Sequence, residues 1–268
     1  MGYGDDIMAT GEVKYLKKKY SDYKFIIGDG SKSWNSAIFE GNSAIIQANE
    51  IKSTDKIKWI KNFPGSRPYR KYEKINHKLK YTWNYSFKAK PGEIFFKDNE
   101  LEFATQVIEK IKNISSKKII HIEPNVKIKK GYLNRDWGLV KWQKLVNRLK
   151  DNFHFIQTTF GNQNLLSNVT NIKNVNFRTA CAIMSKCDLF LGTEGGFHHA
   201  AAAMNLKAII IFGGFIDPEI TGYDIHKNIY IKHTNSPCGS KNKCDHCSEC
   251  MNLITVDLIK EEVDSVLI

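Results

Sequence analysis

Long apolar runs are missing from this 268-residue sequence. No stretch of about eighteen apolar residues occurs, so no segment is suited to span a bilayer as a helix. The opening MGYGDDIMATGE has neither a basic n-region nor an apolar h-region, which argues against a secretory signal and makes a cytoplasmic protein the expectation. Internal repeats and low-complexity tracts are also absent. Carboxylates are scarce in one region: residues 52–90 hold only Asp55 and Glu73 against twelve lysines and arginines, so this stretch carries +10 of the net +12. Charge that concentrated suits a polyanionic partner, or else a solvated lysine-rich face.

The length allows one large or two small α/β domains, and a hydrophobic content of 42% is enough to fill their cores. Apolar, β-branched runs predict strands at 24–27, 43–46, 119–122, 153–156, 189–191 and 208–212. Helical spacing appears between them. Over 98–114, Leu101, Ala104, Val107, Ile108 and Ile111 share one face, and 142–149 and 179–184 behave likewise. Such alternation implies parallel sheets covered on both faces. The second half, with four strands between 119 and 213, makes a Rossmann-like unit. The polar stretch 113–118 is the expected linker, dividing the chain into domains at 1–115 and 116–268, the latter with a Cys-rich loop at 236–251 and a terminal helix. Residues 60–97, interrupted by Pro64-Gly65, Arg67-Pro68 and Pro91-Gly92, read as loops and short elements.

Four motifs can carry chemistry. Gly2-Tyr3-Gly4-Asp5-Asp6-Ile7-Met8-Ala9-Thr10 reads as a tight glycine turn leading into an amphipathic helix through Tyr20. One aspartate there can cap the helix while the other faces a cleft. Gly192-Thr193-Glu194-Gly195-Gly196-Phe197-His198-His199 follows a strand and opens an alanine-rich helix, where free amides make an anion site. His198 or His199 can add a donor, or be structural. Arg135, in a loop with Lys127, Lys129 and Lys130, suits a phosphate; the alternative is an ordinary charged surface loop. Gly213 and Gly214, directly after another strand, let a second loop approach the same ligand.

Four of the six cysteines cluster: Cys238, Cys244, Cys247 and Cys250, with His246 among them. Thiolates two residues apart can share a tetrahedral ion, so a structural zinc is one reading, a reduced loop without an ion another, and an iron–sulfur cluster a third. Disulfides are disfavoured in a cytosolic chain. Cys181 and Cys187 are expected in the core.

In order, these pieces resemble the heptosyltransferase-like family, glycosyltransferase family nine. The matching features are Gly4-Asp5 with Thr10, Arg135 two residues before Trp137, Gly195-Gly196 before His198 and the alanines, Phe212-Gly213 before Asp217-Pro218, and Cys250-Met251. The family often has Asp where this chain has Thr193, with Glu194 adjacent. No strand precedes the Gly4-Asp5 turn, and the first domain is short. The resemblance implies an α/β GT-B architecture, two Rossmann-like domains whose parallel sheets face a central cleft, with a compact first domain. It also implies inverting transfer from a nucleotide-diphosphate sugar to a hydroxyl, with Asp5 as general base and no cofactor needed for catalysis. The donor set is then Arg135, Thr193, Glu194, Gly195, Gly196, His198, His199, Gly213 and Gly214. The acceptor set is Gly4, Asp6, Thr10, Arg67, Arg70 and Lys71.

The acceptor is expected to be polyanionic, such as a lipopolysaccharide-type glycan. Eight aromatics interleaved with the cations (Trp59, Phe63, Tyr69, Tyr72, Tyr81, Trp83, Tyr85 and Phe87) keep two alternatives open: a DNA-modifying glycosyltransferase, and a non-catalytic nucleic-acid-binding protein.

Overall fold

The computed structural model describes residues 2–75, 78–126 and 132–268. Lys127, Lys129 and Lys130 lie outside them.

The chain opens with α1 (Tyr3–Lys19), so the expected Gly-Asp turn is already helical and Asp5 sits in the first turn. The helix is not amphipathic along its length. Its first half is buried nearly all round (Ile7, Met8, Ala9 and Val13) and its second half is exposed. Two glycines permit this burial: a Cβ on Gly11 would lie 2.3 Å from the Lys90 carbonyl oxygen, and one on Gly4 would lie 2.6 Å from His199 Cδ2.

β1 (Tyr23–Ile27) pairs in parallel with β2 (Lys56–Ile60), and among the described residues these two strands make up the first sheet. The strand expected at 43–46 shrinks to one bridge, Ile45 to Phe25. Asn42 is the cause, since its side chain and carbonyl capture the amides of Ala44 and Ile45. Residues 60–97 hold more order than expected, in an antiparallel hairpin of β3 (Arg70–Ile75) and β4 (Lys78–Trp83).

α2 (Asp98–Lys112) begins where Glu100 reaches back to the Lys97 amide. Ala104, Ile108 and Ile111 are buried as the spacing requires, whereas Leu101 is exposed. The second half then runs β5 (Ile119–Glu123), α3 (Leu139–Leu149), β6 (His154–Thr159), β7 (Thr170–Lys173), α4 (Phe177–Met184), β8 (Leu189–Thr193), α5 (Gly196–Ala203), β9 (Ala208–Ile211), α6 (Pro218–Thr221), β10 (His226–Ile229), α7 (Asp245–Leu253) and α8 (Val256–Leu267). All six strands are parallel, in the order β10-β9-β8-β5-β6-β7. Counting from β5, this is the 3-2-1-4-5-6 order of a dinucleotide-binding sheet, whose crevice opens between the first and fourth strands, here β5 and β8.

The central strands are buried continuously, and successive residues pack on opposite faces of the sheet. Ile120, Ile122, Leu189, Leu191, Ile209 and Ile211 pack with α3 and α8 on one face. Phe190, Ala208 and Ile210 join Ile7, Met8, Phe25, Ala200 and Ala201 on the other. That second cluster runs without a break from α1 and β1 into the large sheet. A buried, two-pronged pair, Arg178 Nε and Nη2 each 2.8 Å from Glu100, locks α4 to α2. The same guanidinium also donates to the carbonyls of Ala37 and Phe95. Cys181 and Cys187 are buried. No helix among the described residues is long and apolar enough to cross a membrane.

Candidate functional site

The crevice at the ends of β5 and β8 receives one charged residue from each loop. Glu194 follows β8, and Arg135 ends the 3-10 turn at Tyr132–Arg135 after β5; the two form a buried ion pair. Burial would raise the Glu194 carboxyl, but the Arg135 cation, helped by His199, outweighs it and holds the group down at about 2. His199 Nε2 lies 3.7 Å from Glu194, and its Nδ1 is 2.8 Å from the Tyr223 hydroxyl. Gly195 then turns the chain into α5, which has no carboxylate in its first turn. The amides at this helix start favour negative charge.

The start of α1 stands opposite. Asp5 accepts from the Tyr69 hydroxyl at 2.7 Å and lies 3.6 Å from Arg67 Nε. Burial, then the Asp5 charge, pushes the Tyr69 phenol well above its usual range, so it stays a proton donor. Asp6 points away. It accepts from Ser36 Oγ at 2.8 Å and Trp34 Nε1 at 3.2 Å, and burial raises its carboxyl against those bonds and Arg67. Arg67 is itself buried, donating to the carbonyl and side-chain oxygens of Asn62 at 2.9 and 3.0 Å.

Both sides line one open cleft of about 620 Å³. Its walls include Gly4, Asp5, Arg70, Arg135, Glu194, Gly195, Gly196 and His199 from the sequence-derived sets. The other members lie elsewhere. Thr10 Oγ1 ties α1 to Glu93, accepting from its amide at 2.8 Å. Asp6 and Arg67 brace Asp5 from behind, and Lys71 is exposed on β3. His198 is fully buried, with no hydrogen-bond partner among the described residues for either ring nitrogen, against His199, Phe212, Tyr223 and His226. Thr193 ends β8 outside the lining. Gly213 and Gly214 make room for the Cys-rich segment: a Cβ would lie 2.7 Å from Met251 Cε on the first and 2.6 Å from Cys250 Sγ on the second.

Sequence reasoning passed over the residues just beyond those glycines, Phe215 and Ile216, which do line the cleft. It read Tyr69, Tyr81 and Trp83 only as aromatics interleaved with cations, open to nucleic acid or to a sugar; they form the aromatic wall, Trp83 stacking parallel to Tyr69 and meeting Phe215 edge-on at 5.4 Å. Glu123, at the end of β5, was also missed. Burial raises its carboxyl to about 7.

The cysteines divide differently from expectation. Cys238, Cys244 and Cys247 gather with His246, all four ligand atoms within 4.8 Å of one another. Cys250 instead joins His233 and His246 in a second group. Cys250 lies one turn past His246 on α7, its Sγ 3.5 Å from the His246 Nε2. Three thiols and an imidazole fit a tetrahedral ion, whose ligand atoms stand about 3.8 Å apart around a zinc-sized centre. The Cys238 and Cys247 sulfurs are 3.0 Å apart, and the hydrogen bond between them lowers the Cys238 thiol. A third group, Glu194 with His198 and His199, is unsuited to a cation because Arg135 already neutralises the carboxylate.

No protein-family model and no curated protein matches the chain. Solved structures do. A glycosyl transferase family 9 structure from Veillonella parvula is similar over 100% of this chain and 95% of its own, with a TM-score of 0.65 at 10% identity. The iron-containing dodecameric glycosyltransferase TibC from enterotoxigenic E. coli is similar over 99% of this chain and 74% of its own, also at 0.65 and 10%. For E. coli ADP-heptose lipopolysaccharide heptosyltransferase II, the chain spans about half of the length, 53%, with 66% of this chain aligned, 14% identity and a TM-score of 0.48. The first two show that the chain has the α/β, GT-B-like fold of family 9 structures.

Proposed function

We propose that this chain is an inverting glycosyltransferase that moves a sugar from a nucleotide-diphosphate donor to a hydroxyl of a polyanionic acceptor. One observation carries the reading: a single cleft has the Asp5 carboxylate on one wall and, on the other, the amide-rich start of α5 beside Arg135. The diphosphate fits the second wall, at the strand ends where nucleotides bind in sheets of this order. Arg135 and those amides offset the charge that develops on the leaving diphosphate. Asp5 takes the proton of the attacking hydroxyl, and attack opposite the leaving group inverts the anomeric carbon. Tyr69 and Arg67 fix the carboxylate, and Arg70 and the aromatic wall face the acceptor.

In this reading the Cys238, Cys244, His246 and Cys247 group holds a structural ion, zinc or iron, outside the transfer chemistry. Metal analysis of the purified protein names it, and iron is a direct candidate because TibC is iron-containing.

Asp5→Asn tests the base. Transfer from a radiolabelled donor should fall by roughly 10²–10⁴-fold, with nucleoside-diphosphate affinity kept within about twofold. Undiminished transfer would remove Asp5 from this role.

A further inference from the structure

Tyr81 and Trp83 border two cavities. Beside the cleft lies a second open space of about 1140 Å³, walled by Lys80, Thr82 and Tyr85 from the hairpin side and by Asn235, Pro237 and Cys238 from the Cys-rich segment. The two spaces meet at the Tyr81 and Trp83 rings, which line both.

Backbone bonds hold this second cavity in shape. Tyr81 donates to the Gly239 carbonyl at 2.9 Å, and Lys80 bridges to Ser240. Gly239, at φ +59°, leaves no room for a side chain, since a Cβ would lie 2.1 Å from the Tyr81 oxygen. Asn134 joins the same frame, donating to the carbonyls of Ser240 and Asn242 at 2.9 and 2.8 Å and accepting from the Cys244 amide at 3.0 Å. The turn that carries Arg135, the Cys-rich segment and the hairpin are thereby one unit.

Cations gather on the hairpin side of this cavity, while the carboxylates of Asp217 and Glu219 act on Tyr85 at its edge. Lys80 lines it, Lys241 Nζ lies 3.9 Å from the Tyr72 ring centre and 5.2 Å from that of Tyr81, and Arg70 lies 4.5 Å from the Tyr81 centre. None of the lining residues is acidic. The single carboxylate of the described hairpin, Glu73, is engaged by Thr82 Oγ1 at 3.2 Å.

We propose that the second cavity is an acceptor subsite for the anionic portion of a glycan, lying beyond the hydroxyl presented to Asp5. The proposal rests on the transferase reading of the cleft. A glycan suits it better than single-stranded nucleic acid because of how the rings pack. Tyr81 meets Tyr72 edge-on at 5.3 Å, Trp83 at 5.7 Å and Phe215 edge-on at 6.2 Å. They make one closed wall, whereas stacked bases need a succession of open faces. A sugar needs one such wall with cations placed for its phosphate, sulfate or carboxylate groups.

The test uses the full chain, a heparin-derived tetrasaccharide as the anionic probe, maltotetraose as its neutral counterpart and oligothymidylate as the nucleic-acid probe. Calorimetry at physiological salt gives each Kd. Lys80→Glu with Lys241→Glu should weaken tetrasaccharide binding tenfold or more. Lys110→Glu with Lys112→Glu, a charge-matched change on the exposed side of α2, should weaken it less than twofold, and maltotetraose should bind at least tenfold more weakly than the anionic probe. ADP, UDP and GDP measured on the same proteins report the donor side and should be unaffected by either pair. No tetrasaccharide binding, equal losses in the two double variants, or tighter oligothymidylate binding with the same sensitivity would each overturn the subsite. Nucleotide binding without tetrasaccharide binding would sink the subsite and leave the transferase reading intact. Absence of all nucleotide binding would strike that reading, with the tetrasaccharide data still judging the cavity.

Discussion

Replacing Arg135 by leucine removes the cation that keeps Glu194 ionised inside the protein. The size of the effect follows from the balance at that carboxyl. Burial pushes it up, yet it sits at about 2 against an ordinary 4.5. At about 1.4 kcal/mol per pH unit, the surroundings favour the charged form by roughly 3 kcal/mol after burial is counted. Without Arg135 the burial penalty stands against His199 alone, and stranding one member of a buried pair costs about 3–5 kcal/mol. For a chain of this length each kcal/mol moves Tm by roughly 2–4 °C, so Arg135→Leu should melt about 10 °C below the parent at pH 7. The folded Glu194 value is depressed, so its contribution is present above about pH 4.5 and is lost as pH falls through about 2. In the variant, Glu194 can escape its penalty by taking a proton, and the gap to the parent should narrow between pH 7 and pH 4. The double change Arg135→Leu with Glu194→Leu should recover most of the loss, because it buries no lone charge. Thermal denaturation of parent, single and double variants decides the matter. A single variant within about 1 kcal/mol of the parent at pH 7, or a gap that ignores pH, would refute the account of this pair.

Three further outcomes are expected. Gly4→Ala drives a Cβ to 2.6 Å from His199 Cδ2 and 3.2 Å from Gly196 Cα, so it should cost about 1–3 kcal/mol in chemical denaturation and weaken nucleotide binding by shifting α1 against α5. His226, held down to about 4 by burial and the nearby His199, and His198, lowered well below its usual value by burial, are stabilising while neutral. That stability is complete above about pH 6.5 and drains away as pH falls through 4, and urea titrations at pH 7, 5.5 and 4.5 should show it; a flat profile would contradict the buried neutral histidines. Prolonged chelation should lower Tm if the Cys238, Cys244, His246 and Cys247 group holds its ion, and Cys247→Ser should abolish the chelator effect.

The large sheet was legible because β5, β8, β9 and the start of β6 are largely apolar runs, the pattern of a strand buried between helix layers. Its edges were not. Thr170–Lys173 and His226–Ile229 border the sheet with three of their four residues polar, too little signal for a strand. The hairpin hid behind its lysines, since Lys-Leu-Lys-Tyr-Thr-Trp alternates correctly but reads first as a charge cluster. In the site, Asp5, Arg135 and the Gly195-Gly196 helix start were visible because motif chemistry is local. Which aspartate faces the cleft was settled by Ser36, Trp34 and Arg67, all distant in sequence, and the aromatic wall needed Phe215 brought against Trp83. The second group, Cys250 with His246 and His233, depends on how the segment before α7 folds back onto the helix, which spacing alone leaves undetermined.

The central claim is that the cleft between α1 and α5 binds a nucleoside diphosphate. Thermal stability of the parent against ADP, UDP and GDP, each with and without chelator, tests it most directly. One nucleotide at about a hundredfold excess over its Kd should add roughly 2.7 kcal/mol, a rise of several degrees in Tm. The increment should persist under chelation, even if the starting Tm falls. No shift with any of the three would contradict the claim.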